Sequence, residues 1–458
     1  MNKQKNMDYP RVLIFGQPFN KRHGGGITLT NLFKGWDKSK IAVADSGHMM
    51  YEITRDVCDT YYQLGKDEYK WMFPFNLIQK KYKSGLKTFD EKNEKQGNET
   101  KNGIRYKIVN RIFYPLMQWL GLFYSVIRIK MSAQFRNWLT EFNPEVLYVQ
   151  VTTRESILFV AELIDTLKIP AAIHFMDDWP STIVKGGLFK NYWKKKIDSD
   201  LKKLLDKVDL HLSISDAMAV EYKKRYGKEF RAFHNPIDTA FWLPHTKNDF
   251  SINKDNIKIL CSGRIGQNGI SESLIEVASA IDKMNADGLG IRLHIQTSTR
   301  EKSIINRLNE FNCVVFNPFV NYTQLPEIFS SADILLLAND FDSKSIDYLR
   351  YSMPTKASEY MISGTPVLVY TSDLAAVSVF FSEYECGYCI SNNTEEEIIK
   401  GIKFLIDNEE YRRKISKNAV NTALQKFDAL KVRGEFQNLL SALAVNQKIE
   451  HNFNVRIY

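Results

Sequence analysis

The sequence is poor in cysteine and has no long apolar segment. Only five of its 458 residues are cysteine: Cys58, Cys261, Cys313, Cys386 and Cys389. Such an odd and sparse set argues against a disulfide framework and predicts reduced thiols in a cytosolic protein. No uninterrupted apolar stretch reaches the roughly 18 residues of a membrane-spanning helix. The first residues lack the apolar core of a signal peptide, so we expect no secretion.

The overall composition is that of a folded enzyme. Apolar residues make up 44% of the chain and charged residues 25%, which is typical of globular proteins and excludes a disordered chain. A single hydrophobic core rarely serves a chain of this length, because domains usually contain about 100–200 residues. The length therefore predicts two domains.

Charge is distributed unevenly along the chain, which has a net charge of +9. Residues 1–245 contain 39 Lys and Arg against 27 Asp and Glu, whereas the remaining residues contain 23 against 26. A basic first half predicts an anionic partner for that half, either nucleic acid or an anionic membrane surface. The sequence has no helix-turn-helix, RNA-binding or zinc-finger pattern, so it gives no support to nucleic acid.

Short apolar runs alternate with helical patterns in two series. The first series has apolar runs at residues 11–16, 145–151, 171–176 and 210–215, and the second extends from residue 257 to residue 391. Strands that alternate with helices in this way form parallel sheets covered by helices. We therefore predict an α/β protein with two doubly wound, Rossmann-like domains and a boundary after residue 245, where the chain is rich in proline, asparagine and aspartate.

The first strand of the first series is followed by three consecutive glycines. Ligands of doubly wound sheets bind at the carboxyl ends of the strands, and Gly24, Gly25 and Gly26 lie just before a helical pattern at such a position. Glycine lets backbone N–H groups approach an anion, and the start of a helix favours negative charge. The alternative is a tight turn without a ligand, and the spacing is not that of a dinucleotide-binding fingerprint.

A later strand of the first series ends in the sequence HFMDDWP. His174 and Asp177 at such a position could orient or deprotonate a hydroxyl group. The alternative is a hydrogen-bonded histidine in the core and an aspartate that caps the next helix. The residues alone leave both interpretations open.

The first strand of the second series is followed by the sequence SGRIGQNG. Gly263 and Arg264 at this strand end could hold a diphosphate, because the arginine fork matches phosphate oxygens and the turn offers backbone N–H groups. The alternative is an exposed arginine at an ordinary turn.

A second group of polar residues follows near position 355. Thr355 is placed to cap a helix, Ser352 lies just before it, and Lys356 and Glu359 are three positions apart and so share a helix face. A carboxylate there can accept both hydroxyls of a ribose, while the lysine and the helix dipole face phosphates. The alternative is an ordinary capping arrangement.

These four segments, in this order, resemble the glycosyltransferases of the GT-B fold, close to the glycosyltransferase family 4 type. SGRIG is similar to the G-R-[IL] turn of that family at the diphosphate, and EYMISGTPVL is similar to the segment that begins with its ribose-binding glutamate. HNPID, at residues 234–238, resembles the signature that ends the first domain. The resemblance covers about residues 10–440.

The resemblance implies a hexosyltransferase of cell-surface glycan biosynthesis, with two domains that face a central cleft. Residues 1–245 would bind a lipid-linked or saccharide acceptor, residues 246–425 would bind a nucleotide diphosphate sugar, and segment 426–445 would pack back on the first domain. The implied catalytic residues are His174, Asp177, Arg264 and Lys356. The implied donor contacts are Gly24, Gly25, Gly26, Gly263, Arg264, Ser352, Thr355, Lys356 and Glu359. Members of this type retain anomeric configuration, so we expect retention without a metal and no cofactor apart from the donor substrate.

The sequence departs from the family pattern at two positions. Tyr351 stands where the first of two paired glutamates is expected, and Asn268 stands near the place of a lysine. Lys356 is expected to supply the missing positive charge. These departures leave two alternatives open, a GT-B nucleotide-sugar epimerase and a catalytically inactive scaffold in a glycan assembly complex.

Other motifs give little support to a metal site. The pairs Asp198–Asp200 and Asp340–Asp342 match Asp-x-Asp, but one carboxylate pair without a companion ligand makes a weak site for a hard cation, and we expect the first pair to lie on a solvated helix. The single C-x-x-C motif, which ends at Cys389, lacks the four ligands that zinc needs, so we expect buried packing there.

One segment suggests contact with a membrane. Residues 112–127 contain no charge and are mostly apolar or aromatic. The basic residues around this segment are Arg105, Lys107, Arg111, Arg128 and Lys130. Aromatic residues between basic flanks suit insertion into one leaflet, although a buried core helix is the alternative. We therefore expect a peripheral protein on the cytoplasmic face of the cell membrane.

Overall fold

The structure of the chain is a computed structural model with two compact units. It describes residues 9–455, with the exception of residues 21–23, 48, 51–52, 74, 78, 80, 88–110, 112, 185, 267–268 and 299–300. The first unit comprises residues 1–233 and 433–458, and the second comprises residues 234–432. Our division after residues 245 and 425, into an acceptor domain and a donor domain, stays a prediction.

The first unit is built on a largely parallel sheet. Its strands are β1 (Val12–Phe15), β2 (Ile41–Ser46), β3 (Thr60–Leu64), β4 (Tyr69–Trp71), β5 (Gly85–Leu86), β6 (Ile127–Ile129), β7 (Val146–Val149), β8 (Ala171–Phe175), β9 (Leu210–Ser213) and β10 (Phe230–Ala232). The strand order is β10-β9-β8-β7-β1-β2-β3-β5, with β5 antiparallel, and β4 and β6 form a separate antiparallel ribbon. The strand order therefore reverses between β1 and β7, where doubly wound sheets bind ligands.

Three of the described helices of the first unit begin at a polar side chain that caps them. The helices of this unit are α1 (Gly24–Phe33), α2 (Tyr114–Trp119), α3 (Phe123–Val126), α4 (Ala133–Phe142), α5 (Arg154–Leu167), α6 (Trp179–Thr182), α7 (Lys190–Leu205) and α8 (Asp216–Tyr226). Ser132, Thr153 and Ser215 each accept a backbone N–H hydrogen bond at the start of α4, α5 and α8. Short 3-10 helices occur at Lys38–Lys40 and Phe75–Leu77.

The second unit contains a fully parallel sheet with helices on both faces. Its strands are β11 (Ile257–Ser262), β12 (Ile291–Gln296), β13 (Val314–Asn317), β14 (Ile334–Ala338), β15 (Val367–Tyr370) and β16 (Tyr388–Ile390). The order β13-β12-β11-β14-β15-β16 is that of a doubly wound nucleotide-binding sheet, and it reverses between β11 and β14. Two clusters of buried apolar residues form its core.

The helices of the second unit complete the alternation of strand and helix. They are α9 (Thr239–Trp242), α10 (Ser271–Ala286), α11 (Lys302–Leu308), α12 (Leu325–Ser330), α13 (Ser343–Leu349), α14 (Thr355–Ile362), α15 (Ala376–Glu383), α16 (Glu395–Asp407), α17 (Glu409–Lys426) and the start of α18 (Ala429–Val455). Short 3-10 helices occur at Leu243–His245 and Tyr322–Gln324.

The last helix belongs largely to the first unit, from Arg433 onwards. The ring of Phe436 packs against Phe33 and Tyr148, with centroid distances of 5.2 and 5.9 Å. Gln437 donates a hydrogen bond from Nε2 to the carbonyl oxygen of Leu32 at 3.0 Å. These contacts join the helix to the core of the first unit.

The prediction of an α/β protein with two Rossmann-like domains is confirmed, but the glycine turn is placed differently. Gly24, Gly25 and Gly26 form the first turn of α1 and not a loop before it. A side chain at Gly26 would collide with Asn20, because a Cβ atom there would lie 1.8 Å from Nδ2 of that residue. Close packing against Asn20 therefore explains why position 26 is a glycine.

The apolar segment at residues 112–127 is not one helix. The described part contains the two short helices α2 and α3 and the start of β6. From Ile127 the chain is extended, because β6 pairs with β4. Arg105 and Lys107 lie outside the described residues. Within the part of the chain that the structure describes, we find no helix with both the length and the apolar character needed to cross a membrane.

Candidate functional site

The turn after β11 holds two of the predicted donor contacts, Gly263 and Arg264. Gly263 has a φ of 130°, which residues with a side chain rarely adopt, and its N–H donates to the carbonyl oxygen of Gln296 at 2.9 Å. That N–H is therefore used inside the protein and is not free for a phosphate. Arg264 is exposed, and the described residues give its guanidinium no hydrogen bond or ion pair. The guanidinium is available to an anion.

Helix α14 brings Lys356 to the same strand end. Its Nζ donates to the carbonyl oxygen of Ser262 at 3.1 Å and lies 3.4 Å from the position that a Cβ atom of Gly263 would occupy. Tyr360, one turn later, accepts a hydrogen bond from the N–H of Ser262 at 2.8 Å. The start of α14 is thus anchored on the last residue of β11. Sequence reasoning missed Tyr360, although its spacing of four from Lys356 places both on one helix face.

Two predicted contacts near α14 are placed differently from expectation. The helix begins at Thr355, and the preceding residue, Pro354, occupies the cap position without a capping side chain. Thr355 therefore does not cap the helix. Ser352 is buried, and its hydroxyl donates to the carbonyl oxygen of Tyr348 at 3.2 Å. The hydroxyl hydrogen of Ser352 is therefore used within the protein.

Glu359 is the acidic group on the same face of α14 as Lys356. The residue is half-buried, and the described residues give its carboxyl group no hydrogen-bond donor. Burial raises the pKa of Glu359 to about 7, although the positive charge of Lys356 acts in the opposite direction. Burial also raises the pKa of Tyr322, with a further contribution from the charge of Glu359. A carboxyl group without an internal donor can accept hydrogen bonds from ligand hydroxyls.

The carboxyl end of β14 carries two capping aspartates. Asp340 is buried and accepts hydrogen bonds from the N–H groups of Ser273 and Gly269, at 2.8 and 3.2 Å, at the start of α10. Asp342 accepts from the N–H of Lys344 at 3.0 Å, at the start of α13. Both members of this Asp-x-Asp pair therefore stabilise the starts of helices.

The remaining candidates for metal ligands also have partners inside the protein. Asp200 is buried and forms an ion pair of 2.7 Å with Arg154, so only Asp198 of that pair lies on a solvated face as predicted. The thiols of Cys386 and Cys389 donate to backbone carbonyl oxygens. Among the described residues, no group of three or more His, Cys, Asp or Glu side chains could hold a metal ion.

In the first unit, His174 lies within β8 and not beyond its end. It is buried, and its Nδ1 shares a hydrogen bond of 2.7 Å with the hydroxyl of Tyr148. That hydroxyl also accepts from Nε2 of Gln150 at 3.2 Å. Gln150 directly follows β7, at the carboxyl edge of the sheet. Hydrogen bonds through Tyr148 and Gln150 therefore connect His174 to that edge.

Asp177 follows β8 and is half-buried. Its Oδ1 accepts a hydrogen bond from the N–H of Trp179 at 3.2 Å, at the start of α6, and burial raises its pKa. The neighbouring Asp178 is buried and paired with Arg225 at 2.8 Å. One oxygen of Asp177 therefore supports the start of α6, which is the alternative role that the sequence analysis left open.

A family model and several solved structures are similar to this chain. Residues 244–422 match the family model of glycosyl transferases group 1. No curated protein matches the sequence. HepE of Anabaena, solved in complex with UDP and glucose, is similar to this chain, with 13% identity over 95% of this chain and 100% of that chain and a TM-score of 0.59.

Two further solved structures have the same fold. Sucrose-phosphate synthase of Thermosynechococcus elongatus is 11% identical over 95% of this chain and 99% of its own, with a TM-score of 0.61. WaaG, a glycosyltransferase involved in lipopolysaccharide biosynthesis, is 12% identical over 94% of this chain and 99% of its own, with a TM-score of 0.54. The prediction of a glycosyltransferase with this fold is confirmed. Residues 244–422 are therefore similar to the glycosyl transferases group 1, and the chain has the GT-B fold.

Proposed function

We propose that this protein transfers a sugar from a nucleotide diphosphate sugar to a lipid-linked or saccharide acceptor in cell-surface glycan synthesis. The arrangement at the end of β11 carries the proposal. Lys356 lies beside Gly263, Arg264 is exposed next to it, and Glu359 shares the helix face of Lys356. Two cationic groups and one carboxyl group match the diphosphate and the ribose of such a donor.

The cationic groups would act on the leaving group. A nucleoside diphosphate gathers negative charge as its bond to the sugar breaks, so fixed positive charge beside it stabilises the transition state. Arg264 offers a planar fork of donors, and Lys356 offers an ammonium group held at 3.1 Å from the carbonyl oxygen of Ser262. We propose retention of anomeric configuration without a metal, as the family resemblance implies.

The other predicted contacts stay in the proposal with adjusted roles. Gly24, Gly25 and Gly26, in the first turn of α1, would face the transferred sugar. Asp177 would hold a hydroxyl group of the donor or the acceptor with the oxygen that does not support α6. His174 would act as a positioning residue for Tyr148, because its Nδ1 shares a hydrogen bond with the hydroxyl of that residue.

A uridine nucleotide is the donor that we propose. HepE is known with UDP and glucose and also with UDP-glucose, and it shares the fold of this chain. The involvement of WaaG in lipopolysaccharide biosynthesis supports a glycan acceptor of the cell surface.

Transfer is tested with radiolabelled UDP-glucose, UDP-galactose and UDP-N-acetylglucosamine, each incubated with the purified protein and a bacterial lipid extract. We expect label from one of them to enter the lipid fraction. Conversion of the nucleotide sugar without an acceptor would instead indicate the epimerase, and UDP binding without turnover would indicate the inactive scaffold. A protein that binds no uridine nucleotide would contradict the proposal.

We also propose that the first unit docks on an anionic membrane. Exposed apolar side chains occur on the segments around α2, and we call this set the apolar surface: Met72, Phe73, Leu77, Leu116, Trp119, Leu188, Phe189 and Tyr192. The segments adjoin each other, because Met72 N–H donates to Val126 and Leu188 N–H donates to Trp119, at 3.0 and 2.9 Å. Phe73 is 78% exposed and Leu77 is 70% exposed, which is costly in water and favourable in a lipid interface.

Basic residues border the apolar surface. Lys70 and Arg128 lie directly opposite each other in the β4–β6 ribbon, and both are exposed. Like charges at this spacing repel each other, so an anionic surface would stabilise the pair. Arg111 and Lys130 are also exposed. Each basic residue near an anionic leaflet contributes about 1 kcal/mol of binding free energy.

Removal of apolar side chains from the apolar surface is expected to release the protein from membranes. The triple variant Phe73→Ser, Trp119→Ser and Leu188→Ser should bind phosphatidylglycerol vesicles at least about tenfold more weakly in a flotation assay. Val220→Ser is the matched control, because Val220 is 71% exposed on α8 of the same unit. Added salt should weaken binding of the wild type. Binding that resists both the triple variant and salt would contradict docking through the apolar surface.

A further inference from the structure

The backbone at the carboxyl end of β11 takes its hydrogen-bond partners from side chains. Strand β11 pairs with β14 at Ile259 and Leu260 and with β12 as far as Ser262, so β11 and β14 part where the strand order reverses. The N–H of Gly263 donates towards β12, to Gln296. Successive N–H groups of a strand point to opposite sides, so the N–H of Ser262 points into the crevice beside β14.

Helix α14 supplies the partners that a neighbouring strand would otherwise supply. The hydroxyl of Tyr360 accepts a hydrogen bond from the N–H of Ser262 at 2.8 Å, and Nζ of Lys356 donates to the carbonyl oxygen of the same residue at 3.1 Å. Tyr360 is fully buried, and its ring packs edge-on against Phe329 with a centroid distance of 5.1 Å. The packed ring fixes the hydroxyl, and the hydroxyl fixes the residue on which Lys356 is anchored.

Tyrosine is an acceptor that brings no negative charge to this position. Burial raises the pKa of Tyr360 well above its ordinary value, so the hydroxyl is neutral at physiological pH. A carboxylate could also accept the N–H of Ser262, but it would repel a diphosphate bound beside Lys356 and Arg264. Among the described residues, Lys356 donates to this carbonyl oxygen alone, so two of its three N–H donors remain for a ligand.

We propose that Tyr360 is a positioning residue for sugar transfer, which holds the backbone of Ser262 so that the remaining donors of Lys356 point at the diphosphate. This inference rests on the proposed transfer function and adds a residue that does not touch the substrate. Without the hydroxyl, the N–H of Ser262 loses its acceptor, and the end of β11 becomes free to shift. The ammonium group anchored there would shift as well, and a misplaced charge stabilises a diphosphate less.

A double-mutant cycle separates the positioning of Lys356 from general support of the fold. UDP carries the complete charge of the leaving group, so its affinity reports the same contacts and needs no acceptor. Calorimetry gives the Kd of UDP for the wild type, Tyr360→Phe, Lys356→Ala and the double variant. We expect Tyr360→Phe to weaken binding about five- to tenfold in the wild-type background, and by less than about twofold where position 356 is already alanine.

The two roles of Tyr360 give different results in this cycle. Equal losses in both backgrounds, or no loss in Tyr360→Phe, would overturn the proposal, because a residue that acts through Lys356 has no effect once that side chain is absent. General damage to the fold would lower the Tm and weaken binding equally in both backgrounds. Tyr411→Phe removes a tyrosine hydroxyl from α17 of the same unit, and this matched control should bind UDP like the wild type.

Hydrogen exchange at single-residue resolution tests the anchor without a nucleotide. The amide of Ser262 should exchange slowly in the ligand-free wild type and at least about tenfold faster in Tyr360→Phe, because the tyrosine hydroxyl is its acceptor. Equal rates in the two proteins would contradict the anchor. An unprotected amide in the wild type would contradict it as well, and that measurement needs no variant to fold.

Failure of the proposed function gives a separate result. UDP binding without sugar transfer would count against transfer alone, and the cycle would still decide the role of Tyr360. A wild type that binds no UDP would overturn both proposals. Additive losses in a protein that does transfer sugar would remove Tyr360 from the positioning role and leave the proposed function in place.

Discussion

Replacement of Lys356 by alanine is expected to lower kcat for sugar transfer about 100-fold, which corresponds to the loss of one preorganised group that stabilises developing negative charge. The structure holds this ammonium group in place, because Nζ donates to the carbonyl oxygen of Ser262 and lies against Gly263. Loss of the charge removes an interaction that strengthens as the diphosphate departs, so kcat should fall more than the donor KM rises.

Controls decide whether the loss reflects catalysis or folding. Lys344→Ala removes an exposed charge from α13 of the same unit and should leave kcat within about twofold of the wild type. Arg264→Ala should lower kcat by about tenfold or more, which is at least about 1.4 kcal/mol of transition-state stabilisation. The Tm of each variant reports any structural damage. If Lys356→Ala keeps both its Tm and most of its kcat, Lys356 does not stabilise the leaving group.

The sheet of the second unit could be predicted well from the sequence. Each of its strands is a short apolar run between helical patterns, since helices cover both faces of a parallel sheet and few polar positions remain. Local sequence and tertiary environment therefore favour the same conformation. The apolar segment at residues 112–127 is the opposite case, because pairing between β4 and β6 overrides the helical pattern from Ile127.

The candidate site was predictable as a set of positions but not as a set of contacts. The sequence places Gly263, Lys356 and Glu359 at strand and helix ends, and those ends do meet. The use of the Gly263 N–H by Gln296 depends on a neighbouring strand, and the burial of His174 depends on Tyr148 of β7. Such partners come from distant parts of the chain, and a local pattern does not reveal them.

The strands β2 and β3 were not predicted from the sequence. β2 is a run of apolar residues that ends in Asp45 and Ser46, so the signal of a carboxyl group at a strand end was present. Recognition of a strand there would have placed Asp45 beside β1, with which β2 pairs in parallel. The missing step was strand pairing, which depends on residues far apart in the chain.

Glu359 is the residue for which we expect the largest effect on donor binding. Glu359→Ala should raise the KM for the UDP-sugar by about 30-fold or more, because both ribose hydroxyls would lose a charged acceptor, and hydrogen bonds to charged groups contribute about 1.5–3 kcal/mol each. Glu327→Ala removes an exposed carboxylate from α12 and should leave KM unchanged. A donor KM that is equal in the wild type and in Glu359→Ala would remove Glu359 from the ribose site.

The pH dependence of donor binding gives an independent test of Glu359. Folding raises its pKa from 4.5 to about 7, so the carboxyl group is largely protonated at pH 6 and ionised at pH 8. Only the ionised form accepts hydrogen bonds from both ribose hydroxyls, so affinity for UDP-glucose should increase as the pH rises through 7.

The same shift affects stability in the opposite direction. A raised pKa means that the folded state binds the proton more tightly, so the contribution of Glu359 to stability is present at low pH and is lost as the pH rises from 4.5 to about 7. Glu359→Gln should therefore be more stable than the wild type at pH 8 by about 3 kcal/mol, while its affinity for UDP-glucose is lower and no longer depends on pH. Calorimetric titration and denaturant unfolding at pH 6 and pH 8 measure both effects. A glutamine variant whose affinity still increases with pH would assign the titration to another group.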